Sequence, residues 1–245
     1  MCTLTLAWQV FADAPVVVAA NRDELLDRRS EPPAVRNWET RAVAPLDTEA
    51  GGTWIGYNEH GVLVAVTNRW TDTQPRGDRS RGLLVRDALR RDTAEEAVRY
   101  VERELDARSY EGFNLVVADA AAAILVEWDG HRRLQNLDPG VHVVVNTGAD
   151  GSFTIPSSRA EAARRQADNA EAVRTALRPE PGENSRAWLN RAATVVADHE
   201  YGVCVHRDGF GTRSSSLIRL GGEATYEFAD GPPCRTPFER VEGQV

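Results

Sequence analysis

The sequence predicts an α+β fold built from antiparallel sheets with helices packed outside them. Three observations carry that prediction. The elements come in blocks, strands then helices then strands then helices then strands, which is the order of segregated layers. Inside each strand block the turns are of hairpin length, which antiparallel pairing allows and parallel crossovers do not. No phosphate-binding glycine fingerprint is present, since GGTWIG lacks the helix that such a loop requires.

Taken in order, Thr3 to Phe11 alternates roughly between small or polar and large apolar residues. The ADAP turn then leads into the apolar run from Val16 to Ala20, so a hairpin is expected whose second strand ends at Asn21. PPAVRNWETRAVAPLD, with its proline breaks, reads as a loop. GGTWIGYNEHGVLVAVTNR reads as strand, turn at Asn58 to Gly61, and strand. Residues 81–91 place Leu83, Leu84, Ala88 and Leu89 on one helical face, and Thr93 with Glu96 forms a capping box before a second helix.

FNLVVAD, ILVEWDG and VHVVVN return to strand character. Ser158 with Glu161 is expected to open a helix running to about Leu177, and a further helix spans Arg186 to Ala197. YGVCVHR, TRSSSLIRL and ATYEFAD are strand-like. RPEPGENS is too short to need a domain boundary, so one domain over 1–230 is expected, followed by a poorly ordered Pro-rich tail at 231–245.

Composition excludes several classes. With 37 acidic against 29 basic residues and a net charge of -8, there is no cation excess to engage a phosphate backbone, so no nucleic-acid partner is expected. All 29 basic residues are arginine, a bias read as an acidic, halophile-like or high-G+C prokaryotic proteome. Cys2, Cys204 and Cys234 form no CxxC pair, and the five histidines have no HExxH spacing. Neither a disulfide framework, a metal site nor a cofactor is expected. The first basic residue is Arg22, and no apolar run reaches ~18 residues. A cytoplasmic protein without leader or membrane span is therefore expected, acting on a small molecule.

The candidate chemistry lies at the start. In MCTLTLA, removal of Met1 leaves Cys2 with a free α-amine beside its thiol. That amine has a reference pKa of ~7.7–8.0, so it can take the thiol proton near neutrality. The hairpin brings AANRDE to the same sheet end, where Asp23 can hold the amine and Arg22 can favour the thiolate or bind a substrate carboxylate. Asn21 offers an amide donor to an oxyanion, and Glu24 completes the cluster. Against this stands the plain reading of NRDE as a solvated turn with a local ion pair. Cys204, His206 and Asp208 mimic a thiol triad, but side chains at i and i+2 of a strand sit ~7 Å apart. Cys204 is therefore expected as a buried small hydrophobe.

MCTLTLA, AANRDE, GGTWIGYNEHGVLVAVTN, DRSRGLLV, GFNLVVAD and GTRSSSLI, in this order across most of the chain, resemble the NRDE family, also called the transport and Golgi organisation family. The resemblance implies an N-terminal-nucleophile (Ntn) hydrolase-like fold, a four-layer αββα sandwich of two antiparallel sheets between helices. Extended to cysteine-type Ntn amidases such as penicillin V acylases and bile salt hydrolases, it implies Cys2 as nucleophile, Asp23 as the residue orienting the amine, and Asn68 and Asn146 as oxyanion donors. Two departures stand out. The amidases' arginine three residues before the aspartate is replaced by Ala20, leaving Arg22 and Arg213 as substitutes at other positions. Their proline–tryptophan–lysine run is replaced by TGADGSFTIPSSR. Arg81 either starts a helix with Ser80 or points into the cleft. Two functions follow as expectations: a hydrolase of a linear amide or related acyl bond through a Cys2 thioester, or a non-catalytic carrier of lipid, acyl-CoA or haem.

Overall fold

Val16–Ala19 is apolar at every position and buried at every position, and a computed structural model shows why. The structure describes residues 2–73 and 75–245. The chain runs β1 (Thr3–Phe11), β2 (Ala14–Leu25), β3 (Ser30–Trp38), β4 (Thr40–Asp47), β5 (Ile55–Asn58), β6 (Leu63–Asn68), α1 (Arg81–Ala88) and α2 (Ala94–Ala107). It continues with β7 (Phe113–Ala118), β8 (Ala123–Trp128), β9 (Arg132–Asn136), β10 (Gly140–Val145), β11 (Gly148–Ala149) and β12 (Ser152–Phe153). Then follow α3 (Ala160–Ala176), α4 (Ser185–Ala197), β13 (His206–Arg207), β14 (Phe210–Leu220), β15 (Thr225–Ala229) and β16 (Glu239–Arg240).

The chain divides into two compact units, one holding the residues up to Arg28 with Pro139–Val241, the other Arg29–Asp138 with Glu242–Val245. In the first unit β1 and β2 are central strands of an antiparallel sheet ordered β12-β11-β10-β1-β2-β14-β15-β16, with β13 paired to β14. Helix α3 packs on β10, and α4 packs on β2 and β14. Sequence alternation decides which face meets the helices: Ala7, Val17, Ala19, Val143 and Leu217 point toward Val173, Trp188, Ala192 and Val196. Trp188 anchors that layer. It is fully buried, its ring lies 6.0 Å from that of Phe11, and its indole N–H donates to Leu177 O at 2.8 Å. Truncation to alanine is expected to cost about 3–5 kcal/mol.

The second unit is a seven-stranded antiparallel sheet ordered from β3 to β9 in sequence, with α1 on β6 and α2 on β7 and β8. Both helices start where side-chain caps allow. Ser80 Oγ accepts from Gly82 N at 3.1 Å, and Thr93 Oγ1 accepts from Glu96 N at 3.2 Å. The apolar spacing of Ala94, Ala97, Val98, Val101 and Leu105 forms the buried stripe of α2.

Four expectations are corrected. The stretch expected as a loop over residues 32–47 forms most of β3 and β4. Its prolines are tolerated because Pro32 and Pro33 fall in a register shift between Glu31 and Ala34 on the edge strand β3, where no inner ladder bond is lost. Helix α3 begins at Ala160 after a 3₁₀ turn at Ser157–Arg159, without a side-chain cap. YGVCVHR is strand only at His206–Arg207. From Gly231 onward the chain is not a bare tail: β16 pairs with β15, and Tyr57 and Gln244 share a short hydrogen bond. The edge strand β9 was not foreseen, because RRLQN is exposed throughout and shows no apolar alternation.

Candidate functional site

Strand register puts Cys2 at one end of the central hairpin. Thr3 pairs with Asn21 on one side and Val145 on the other. One residue further, Cys2 stands between Asn146 and the Arg22–Asp23 pair. Its backbone nitrogen donates to Asn146 Oδ1 at 3.0 Å, and its thiol lies 3.8 Å from the carbonyl oxygen of Asp23. Gln166 Nε2 donates to the same Asn146 oxygen at 2.9 Å. Two N–H donors converging on one atom leave no doubt which end of the Asn146 amide faces Cys2.

Asp23 is buried. Its Oδ1 accepts a 2.6 Å hydrogen bond from Thr212 Oγ1, and that hydroxyl oxygen accepts from Val205 N at 2.8 Å. Burial pushes the carboxyl up to about 6, with the Thr212 hydrogen bond opposing the rise. Cys2 is half-buried, and desolvation likewise raises its thiol, with the Asp23 charge adding to the rise and the Arg22 charge opposing it.

The remaining expected residues fall into distinct roles. Asn21 is buried, and its Nδ2 donates to Val196 O at 2.8 Å and Val203 O at 3.0 Å. Both of its amide hydrogens are thus committed to the backbone that follows α4, so it ties that segment to β2 and does not offer a donor to an oxyanion. Arg22 is buried, with Nη2 3.9 Å from Glu24 Oε2. Arg213 is the extra residue of a bulge between Thr212 and Ser214 in the β2–β14 pairing. It is half-buried, and its Nε has no hydrogen-bond partner among the described residues. Asn68 and Arg81 belong to the other unit. Asn68 ends β6 opposite Phe113 and is exposed. Arg81 opens α1, donates to Gly112 O at 3.0 Å and pairs with Glu111 at 3.1 Å.

Two residues that complete the Cys2 end were missed from sequence. Thr212 lies directly opposite Asp23 in register, a relation visible only once β2 and β14 are paired. Gln166 sits with Ala163, Ala170 and Val173 on the buried face of α3. A lone polar residue on that apolar stripe is the signal that it has a partner inside.

A family model described as Transport and Golgi organisation 2, or TANGO2, matches residues 1–230. The chain belongs to that family. This TANGO2-family protein is 26% identical over 248 residues to the Transport and Golgi organization protein 2 homolog of Homo sapiens, covering 88% of this chain and 85% of the relative. Among solved structures it is similar to penicillin V acylase from Agrobacterium tumefaciens, with a TM-score of 0.60 at 17% identity over 94% of this chain and 83% of that one. It is also similar to the Caenorhabditis elegans ortholog of N-acylethanolamine-hydrolyzing acid amidase, with a TM-score of 0.56 at 14% identity over 89% and 92% of the two chains. At such identities the likeness concerns the fold, and the fold is Ntn hydrolase-like: mixed α+β, two antiparallel sheets and four helices. Among the described residues no helix is long and apolar enough to cross a membrane.

Proposed function

We propose that this TANGO2-family chain, once Met1 is removed, is an Ntn-type cysteine hydrolase of a linear amide or related acyl bond. One observation carries the reading: the Cys2 nitrogen, which becomes the α-amine on removal of Met1, is already held 3.0 Å from Asn146 Oδ1 while the Cys2 sulfur sits beside Asp23. In the proposed reaction the amine takes the thiol proton, Sγ attacks the acyl carbon, and the C–N bond breaks as the leaving nitrogen receives that proton. Water then cleaves the thioester and restores the thiol. Asn146 Oδ1 keeps the amine lone pair turned toward the sulfur, and Asp23 supplies the charge that steadies the ammonium form. Asn146, through its amide N–H, is the proposed oxyanion donor, for which about 3 kcal/mol of transition-state stabilisation is expected. Arg22 and Arg213 are the proposed carboxylate binders, with Glu24 orienting Arg22.

The test is covalent labelling of trimmed protein by an electrophilic amide or lactone probe. Labelling at Cys2 that vanishes in Cys2→Ala supports the proposal; labelling that persists in that variant ends it.

A second reading rests on the half-buried setting of the Cys2 thiol, which disfavours the thiolate. With Met1 retained, the Cys2 nitrogen is a peptide nitrogen and no base, and a desolvated thiol is a poor nucleophile. In that form the protein is proposed as a carrier of lipid, acyl-CoA or haem. Tight binding of haem or acyl-CoA that is unchanged in Cys2→Ala, without turnover, favours this reading.

A further inference from the structure

Four soft-donor side chains scattered in sequence converge in the first unit, away from Cys2 in chain position. His199 lies on the 3₁₀ turn His199–Tyr201 that follows α4, Cys204 and His206 flank Val205, and Cys234 lies between β15 and β16. One donor atom from each lies within 4.8 Å of the others. His206 Nε2 stands 3.6 Å from Cys204 Sγ and 3.2 Å from Cys234 Sγ, and the His199 and His206 rings meet nearly edge to face at 5.1 Å. The separation expected for i and i+2 on a regular strand does not hold, because Cys204 sits at a bend before β13 begins.

These distances can be compared with a metal's demands. Zinc bonds of ~2.3 Å to sulfur and ~2.0–2.1 Å to nitrogen place tetrahedral donors about 3.4–3.8 Å apart. The two sulfur–nitrogen distances given above are close to that edge length, and drawing in the widest pair takes a shift of about an ångström. The donor chemistry points the same way: two thiols and two imidazoles suit a borderline-soft divalent cation, whereas magnesium and calcium require oxygen. The turn that joins His199 to Cys204 is also tightly built. Gly202 is left-handed at φ +62°, a conformation that other residues adopt only with strain, so the course of the turn between the two ligands rests on that glycine.

We propose that His199, Cys204, His206 and Cys234 form a closed, structural zinc-type site that positions the backbone behind Asp23. Binding exchanges the cation for one proton on each thiol, releasing two protons to solvent while the imidazoles bind neutral; nothing is oxidised or reduced. Four protein ligands fill a tetrahedron, so the role is structural and not catalytic. The ion would clamp both neighbours of Val205. Val205 N donates to Thr212 Oγ1, and Thr212 donates to Asp23 Oδ1, so the clamp reaches the carboxylate through two hydrogen bonds. Asn21 fastens Val203 to β2 on the same segment. Sequence spacing hid the site, because a Cys-x-His pair completed by distant ligands matches no common zinc pattern.

The inference is independent of the amidase reading, and its test uses metal alone. Full-length protein, reduced and stripped by a chelator, is titrated with Co²⁺. The expected result is the intense visible absorption of tetrahedral Co²⁺ with a near-ultraviolet thiolate band, saturating at one equivalent and bleached by equimolar Zn²⁺. Zn²⁺ should raise the melting temperature of the wild type. Cys234→Ser and His199→Gln alter half-buried or exposed groups outside the core, so they keep the test available if Cys204→Ser fails to fold. Each should weaken Co²⁺ binding by more than the roughly 10–100-fold that losing an outer-shell contact costs, and Cys234→Ser should also diminish the thiolate band and abolish the zinc-dependent melting shift. A weak octahedral spectrum without a thiolate band, uptake unchanged in Cys234→Ser, or a Cys204–Cys234 disulfide in place of metal uptake each overturns the proposal.

Discussion

Asn146 Oδ1 accepts from the Cys2 nitrogen at 3.0 Å across 144 residues of sequence, and Gln166 Nε2 fixes that oxygen from the other side at 2.9 Å. The arrangement separates reactivity from stability. In Gln166→Leu the Asn146 oxygen keeps its bond from Cys2, while a buried Gln166 Oε1 without a partner among the described residues is removed. Unfolding free energy should therefore change by no more than about 1 kcal/mol. The Asn146 amide, however, loses one of the two donors that set its orientation, and the rate of Cys2 labelling by an acylating probe should fall roughly tenfold. Denaturant melts and labelling kinetics on the same samples check this. A large loss of stability with unchanged labelling would assign Gln166 to packing alone.

Asp23 gives a pH-dependent stability with a definite sign. Its carboxyl is raised from 3.8 to about 6 by burial, so the folded state holds the proton more tightly than the unfolded state. The contribution of this group is most favourable below the unfolded value. It is lost as pH rises toward the folded value and is constant above it. The shift corresponds to about 3 kcal/mol. Asp23→Asn keeps an oxygen acceptor for Thr212 but cannot ionise. Relative to that variant, wild type should lose about 3 kcal/mol of stability between pH 4 and 6.5 and nothing further to pH 8, as read from urea unfolding at each pH. A flat difference across that range would mean the carboxylate is not buried as described.

How much of this was legible depends on how far apart the partners lie. The pairing of Thr3 with Asn21 follows from alternation and a single turn, so the approach of Cys2 to Asp23 could be read directly. Asn146 closes β10, and only a resemblance, not any local pattern, singled it out. Thr212 was out of reach because 189 residues separate it from Asp23, and strand order is not encoded in strand propensity. Asn21 was assigned the wrong task for a related reason: the sequence shows that it ends an apolar run, but not that Val196 O and Val203 O await its two hydrogens. The prolines near the start of β3 misled because edge position, which excuses them, is a property of the sheet.

Arg213 supplies a third prediction. It occupies a bulge, and its Nε is buried with no hydrogen-bond partner among the described residues. Removing such a group relieves a desolvation cost. Arg213→Leu should therefore leave the denaturation midpoint nearly unchanged or slightly raised. If the guanidinium binds a substrate carboxylate, the variant should lose roughly tenfold or more in turnover of N-acyl amino acids. It should lose little with the corresponding N-acyl amides, which carry no negative charge. Equal losses on both series would remove Arg213 from substrate recognition.

The decisive prediction concerns the nitrogen of Cys2. With Met1 attached it is an amide with no basic lone pair; with Met1 removed it is an amine whose reference pKa of ~7.7–8.0 makes it a base for the adjacent thiol. The two forms differ by one residue and share the same sheet, so any difference in reactivity must come from that amine. Protein produced with methionine aminopeptidase partly inhibited will contain both. Brief exposure to an acylating probe followed by intact-mass measurement should show the adduct on the trimmed species, with the Met1-bearing species labelled at least about tenfold more slowly at pH 7.5. The ratio should narrow toward pH 9.5, where hydroxide generates thiolate in both forms. Equal labelling at neutral pH would show that the sulfur acts without its own amine and would end the Ntn mechanism for this chain.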